Sequence, residues 1–164
     1  NSIMKILISG NDQVGLSAAI GRLYPDEVTF ASRTTGYDLC THSAREAFSE
    51  LSTTMDVVVV SAALWQFQQT VLLEHVKAWL YNAEKKALRD FSNTLAIGGV
   101  WTEGLPKVSY ISFGTLSNNQ EKHPDRKCMD IDEAAGYIKW LINQPKYVNI
   151  NEISIDPMQG INND

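Results

Sequence analysis

Met4-Lys-Ile-Leu-Ile-Ser-Gly-Asn-Asp-Gln-Val-Gly-Leu-Ser-Ala-Ala-Ile-Gly-Arg-Leu23 is the stretch whose reading decides the fold. Lys5–Ser9 is an apolar, Ile-containing run too short for a helix, as expected of a strand buried in a parallel sheet. Gly10 ends it. Leu16–Leu23 is a small-residue amphipathic segment, stopped by Tyr24-Pro25. Strand, glycine-bearing turn and helix in that order aim backbone N–H groups and a helix N-terminus at one point, where a phosphate can sit. Gly10, Asn11, Gln13, Val14, Gly15 and Leu16 are the candidate contacts. An ordinary βα turn with a glycine for tightness fits the same residues, and both readings stand at this point. Asp12 weighs against the first, because a carboxylate in the turn repels a pyrophosphate unless it points outward.

Outward from this turn, Glu27–Arg33 alternates as a second strand. In a nucleotide-binding sheet, a carboxylate after this strand hydrogen-bonds a ribose 2′-OH, and an Arg accommodates a 2′-phosphate. The chain has Arg33 there and no carboxylate until Asp38. This favours NADP(H) over NAD(H), with Arg33, Asp38 and Leu39 in the turn that follows. Ser43-x-x-Glu46 reads as a capping box for a helix to about Leu51, with Ala44, Ala47, Phe48 and Leu51 inward. Four consecutive valines, Val57–Val60, read as a central strand covered on both faces. Its continuation, Ser61, Ala62 and Ala63, keeps the sheet edge small, as a ligand crossing there requires. Gln66–Leu95 keeps helical periodicity and ends at Gly98-Gly99.

Lys107–Ser112 is the next strand. Leu116–Cys128 is polar and reads as a surface loop or lid. Asp130-x-x-Glu133 caps a helix with Ile131, Ala134, Ile138, Leu141 and Ile142 inward, and Pro145 closes it. Asn149–Ile155 is the last strand, and the tail after Pro157 reads as frayed. Asn1–Ile3, ahead of Met4, is set aside from the fold. Strands alternating with helices predict an α/β, Rossmann-like, doubly wound parallel sheet. About five strands in the order 2-1-3-4-5 form the middle of three α/β/α layers, in a single domain over residues 1–164.

Composition narrows the function. A net charge of −5 without a basic cluster excludes nucleic acid and an anionic membrane surface as expected partners. No apolar run spans a bilayer and no signal peptide is evident, which predicts a cytoplasmic protein. Two distant cysteines, Cys40 and Cys128, and three scattered histidines suggest neither a disulfide nor a metal site.

Several segments, taken in order, resemble the short-chain dehydrogenase/reductase family. Ser9-Gly10-x4-Gly15-Leu16-Ser17 is similar to that family's Thr-Gly-x3-Gly-x-Gly turn, with one extra residue and Ser17 in place of the last glycine. Asp56–Ala63 resembles the strand ending in Asn-Asn-Ala-Gly. Tyr81-Asn-Ala-Glu-Lys85-Lys-Ala-Leu88 resembles the active-site helix with Tyr-x-x-x-Lys. Lys107–Thr115 resembles the strand ending in Ser-Pro-Gly, with Phe113 at the proline, and Asp130–Pro157 is the closest match. The resemblance implies an NADP(H)-dependent oxidoreductase moving a hydride to or from a small carbonyl or alcohol. It implies Tyr81 as proton donor or acceptor, Lys85 as its pKa-lowering partner, and Gly114 and Thr115 among the cofactor contacts. Tyr and Lys four apart share a helix face.

The chain also departs from the family. It is much shorter than usual members, and between Ala63 and Tyr81 there is room for one helix only. The strand that bears the family's catalytic serine therefore has no counterpart. A competing alignment makes Val108–Thr115 that strand, with Ser112 near the serine and Asn82 as the helix asparagine. In one unbroken helix from Gln66, Tyr81 would lie about 12 residues along, roughly 18 Å from the sheet edge, unless the helix restarts near Leu80. The alternative function is a non-catalytic dinucleotide-binding or assembly protein. A phospho-receiver domain is excluded, because it needs an Asp where this chain has Ser61-Ala62-Ala63. Loss of a strand and helix predicts a homo-oligomer, a dimer or tetramer, associating around residues 66–95 through Trp79 or Phe91.

Overall fold

A computed structural model describes residues 4–39, 41–60 and 109–160 of the chain. These residues carry an α/β architecture of parallel strands alternating with helices, in the order β1 (Ile6–Ser9), α1 (Gly15–Leu23), β2 (Val28–Ala31), α2 (His42–Ser52), β3 (Val57–Val60), β4 (Tyr110–Phe113), α3 (Ile131–Ile142) and β5 (Glu152–Ile155). Short 3-10 turns occupy Arg33–Thr35 and Ser117–Lys122. The chain divides into two compact units. Asn1–Ala62, Thr115–Asn143 and Pro157–Asp164 form the first, Ala63–Gly114 and Gln144–Asp156 the second.

In the first unit the sheet order is β2-β1-β3, all parallel. Ile6 faces Val28 on one side and Val57 on the other, and the register runs unbroken to Ser9 between Ala31 and Val60. β1 is central and every one of its residues is fully buried. Each of Ile6, Leu7 and Ile8 contributes about 1.5–3 kcal/mol by leaving water. In the second unit β4 pairs with β5 in parallel, Tyr110 opposite Glu152 through Phe113 opposite Ile155. The 2-1-3 and 4-5 parts of the expected order are both present, one in each unit.

Small side chains let the helices of the first unit approach each other. α1 packs on α3, with Ala18, Ala19 and Ile20 buried on one and Ala134, Ala135 and Ile138 on the other. Gly21 gives the Phe30 ring its place: a Cβ there would lie 2.6 Å from Phe30 Cζ. α1 ends at Leu23 as expected ahead of Tyr24-Pro25. α3 begins where the capping signal places it, with Asp130 Oδ1 accepting from Asp132 N–H at 2.7 Å and Glu133 N–H at 3.3 Å. Two carboxylates in its first turn, Asp132 and Glu133, suit the positive end of the helix.

Two expectations change. α2 is capped by Thr41, whose hydroxyl accepts from Ala44 N–H at 3.3 Å, and Ser43 lies inside the helix. A Thr two residues upstream serves the same free N–H groups and wins the position. On this helix Ala44 is buried, Phe48 and Leu51 are half-buried, and Ala47 is exposed. β3 is not covered on both faces: Val57 and Val59 are half-buried, whereas Val58 is 39% and Val60 62% exposed. Period-two alternation is a property of the backbone, so four valines present two to each side whatever covers them. The Leu116–Cys128 stretch is the surface segment expected, mostly exposed, and contains the 3-10 turn. The long periodic segment Gln66–Leu95, with its expected self-association surface, lies outside the described residues.

Candidate dinucleotide site at the first turn

Between β1 and α1 the turn is built from its own side chains. Asn11 Oδ1 accepts from Gln13 N–H at 3.0 Å and from Val14 N–H at 3.2 Å. Ser17 Oγ, buried in the first turn of α1, donates back to Asn11 C=O at 2.8 Å. Gly10 N–H donates to Ala31 C=O at 2.9 Å, so the β1–β2 ladder extends to the edge of the turn. Gly15 opens the helix with φ +78°, a left-handed conformation that costs a residue with a Cβ roughly 1–2 kcal/mol.

At the N-cap stands Val14, which has no oxygen to offer. The first N–H groups of α1, those of Gly15, Leu16 and Ser17, point out of the helix without a side-chain cap. Donors left open at a helix start, beside a glycine that lets the backbone come close, suit a phosphate. A pyrophosphate fits this set by backbone contacts. Asp12 and Gln13 are exposed.

At the end of β2 the backbone turns sharply. Thr35 Oγ1 accepts from Ser32 N–H at 2.9 Å and lies 3.0 Å from Phe30 C=O. Gly36 leaves the turn with φ +92°. Arg33 projects from this turn, exposed and without an ion pair among the described residues. Asp38 C=O accepts from both the N–H and the hydroxyl of Thr41, at 2.9 and 2.8 Å, and Leu39 C=O accepts from Arg45 at 2.9 Å. Asp38 and Leu39 are therefore tied to the start of α2 through their backbone.

Residues 115–129 form a closed segment beside the first turn. Leu116 and Met129 form an isolated parallel bridge, Met129 N–H donates to Thr115 C=O at 2.8 Å, and Ser117 N–H donates to Met129 C=O at 2.7 Å. Both ends of the segment are thus closed together. Within it Asn118 Nδ2 lies 4.0 Å from where a Gly15 Cβ would be, which sets the 3-10 turn against the first turn. Arg126 Nη1 donates to Thr115 Oγ1 at 3.2 Å. Asn118 carries no recognisable motif, and only the closure of the long loop brings it beside Gly15.

Of the remaining expected site residues, Gly114 lies in the second unit, where its N–H donates to Ile155 C=O at 2.9 Å. Ser112, the serine of the competing alignment, sits on β4 opposite Ser154. Ser61, Ala62, Ala63, Tyr81, Asn82 and Lys85 lie outside the described residues. The structure thus brings together Gly10, Asn11, Gln13, Val14, Gly15 and Leu16 in one turn and ties Arg33, Asp38 and Leu39 to the next.

No protein-family model and no curated protein sequence matches the chain. Solved structures do. A crystal structure of a small-chain dehydrogenase in complex with NADPH superposes with a TM-score of 0.62 at 15% identity, over 94% of this chain and 97% of that one. A second small-chain dehydrogenase structure superposes with a TM-score of 0.60 at 16% identity, with the same coverage of both chains. The alignment spans nearly all of both partners, so each is close to this chain in length. At this identity the likeness is one of fold, and the chain has the fold of the small-chain dehydrogenases.

Proposed function

We propose that the protein binds NADP(H) at the first turn and acts as a small-chain oxidoreductase on a small carbonyl or alcohol. The observation that carries this reading is the uncapped start of α1. There a left-handed Gly15 and a valine at the N-cap leave the helix's first N–H groups open, at the carboxyl end of the central strand. A fold neighbour of nearly equal length solved with NADPH supports it.

In this reading the N–H groups of Gly15, Leu16 and Ser17 hold the pyrophosphate, and Arg33 meets the 2′-phosphate. A guanidinium there favours NADP(H) over NAD(H) by pairing with a group that NAD(H) lacks. When bound, the nicotinamide supplies or takes the hydride. The family resemblance implies that Tyr81 would give a proton to the oxygen of a carbonyl substrate or take one from that of an alcohol, with Lys85 as its pKa-lowering partner.

Titration with NADPH and NADH, followed by energy transfer from tryptophan, tests binding. Micromolar NADPH affinity with weaker NADH is expected. Arg33→Ala should weaken NADPH by about tenfold and leave NADH unchanged. Absence of NADPH binding would overturn the reading. Oxidation of NADPH with a panel of small carbonyls, with Tyr81→Phe as control, separates an enzyme from a binding protein. The second reading, a dinucleotide-binding protein without turnover, rests on the absent counterpart of the serine-bearing strand. NADPH binding with no turnover on any carbonyl would favour it.

A further inference from the structure

Gln159 lies in the tail after β5, in the same compact unit as the first turn. Its side-chain amide grips the backbone of Lys127 from both sides: Lys127 N–H donates to Oε1 at 2.8 Å, and Nε2 donates to Lys127 C=O at 3.0 Å. Nε2 also lies 3.3 Å from Pro157 C=O, which holds the amide plane in place. The amide pairs with one residue as a neighbouring strand would. The expected fraying of the tail does not reach Gln159.

Lys127 belongs to the segment whose ends close at Leu116 and Met129 and whose 3-10 turn lies against Gly15. From inside, Gln120 Nε2 donates to His123 C=O at 3.0 Å and to Arg126 C=O at 2.9 Å. From outside, Gln159 supplies the side-chain contacts that fix the next residue. Arg126 sits between these two anchors. Its guanidinium spends a donor on the neutral Thr115 hydroxyl and makes no ion pair among the described residues. A guanidinium anchored on a hydroxyl keeps its full charge and its remaining donors for an anion.

We propose that Gln159 is a positioning residue of the dinucleotide site, acting through the 115–129 segment, whose Asn118 lies beside Gly15 at the first turn. The proposal rests on the NADP(H) reading above. It makes the tail part of the cofactor site: loosening the clip frees the segment, and an ordered segment is what the anionic ligand meets.

Gln159→Ala removes both arms of the clip, and Gln159→Glu keeps the acceptor for Lys127 N–H while losing the donor. NADPH affinity and tryptic cleavage after Arg126 and Lys127 are measured for each, with and without NADPH. The wild type should be cut slowly there, and more slowly with NADPH. Gln159→Ala should bind NADPH about three- to tenfold more weakly, with faster cleavage at both sites and an unchanged thermal midpoint. Gln159→Glu should fall between them. A purely structural clip would speed cleavage without changing NADPH affinity and without NADPH protection, and that result overturns the proposal. Wild-type protein that binds no NADPH overturns the cofactor reading together with it. Wild-type binding with unchanged affinity in Gln159→Ala overturns the proposal alone.

Discussion

The turn after β1 and the 115–129 segment flank the same point, yet they are held by different kinds of contact. The first is local: Asn11 bonds two and three residues ahead, and Ser17 reaches back six. The second is closed by a bridge between residues 116 and 129 and clipped by a glutamine 32 residues away. A turn whose side-chain hydrogen bonds all fall within six residues is set by its own residues. A segment closed over longer loops depends on surfaces that must already be folded, and each closure carries a loop entropy cost. On the proposed reading the difference is a division of labour: a first turn ordered by its own residues, and a neighbouring segment whose order depends on the tail.

Substitutions test that contrast. The largest effect is expected in the strand that carries the turn. Ile8→Ala deletes a fully buried side chain from β1 and should cost about 2–5 kcal/mol, measured by urea unfolding. A cost within the range of surface substitutions would show that β1 is not the centre of the core. Next comes Gly15→Ala, which should cost roughly 1–2 kcal/mol for its left-handed backbone and weaken NADPH binding as well. No matching substitution in the 115–129 segment should lower global stability as much.

Helix caps give smaller, strictly local effects. Thr41→Ala should lose about 1 kcal/mol, and Ser43→Ala much less, because the hydroxyl that accepts from the helix belongs to Thr41. Equal losses would restore Ser43 as the cap. The smallest change is expected at Tyr24, whose hydroxyl is buried without a partner while its ring lies 5.6 Å from Lys139 Nζ. Tyr24→Phe removes an unpaired polar group and should be neutral or stabilising by up to about 1 kcal/mol. Burial, and then the nearby Glu27 carboxylate, raise the pKa of Tyr24 above its ordinary value. The neutral form is therefore favoured in the folded state, while the unfolded chain loses the proton first. Stability from this group is complete below about pH 10 and falls as pH rises beyond it. In Tyr24→Phe that alkaline loss should shrink, as read from unfolding midpoints across the range.

How much the sequence discloses follows the same contrast. β1 and α1 were legible because an apolar run, a glycine and Tyr24-Pro25 lie in one window. Asp130 was legible as a cap because its partners are two and three residues on. Thr41 was missed because Ser43-x-x-Glu46 satisfied the capping pattern on its own, and pattern alone does not choose between adjacent hydroxyls. The covering of β3 was misread because a run of four valines states hydrophobicity, not which side is packed. Gln159 and Arg126 had no signal, since a single glutamine in a polar tail and an arginine in a polar loop acquire meaning only when the chain brings them together. Arg33 is legible as a candidate because its place at the end of a strand has a chemical consequence in this kind of sheet.

The most direct measurement is amide hydrogen exchange of the whole chain with and without NADPH, read by mass spectrometry. The expected result is slower exchange in the peptide covering Gly10–Ser17, where N–H groups at the start of α1 meet the phosphates, with weaker protection around Arg33. NADPH binding that leaves the exchange of Gly10–Ser17 unchanged would contradict a dinucleotide site at the first turn.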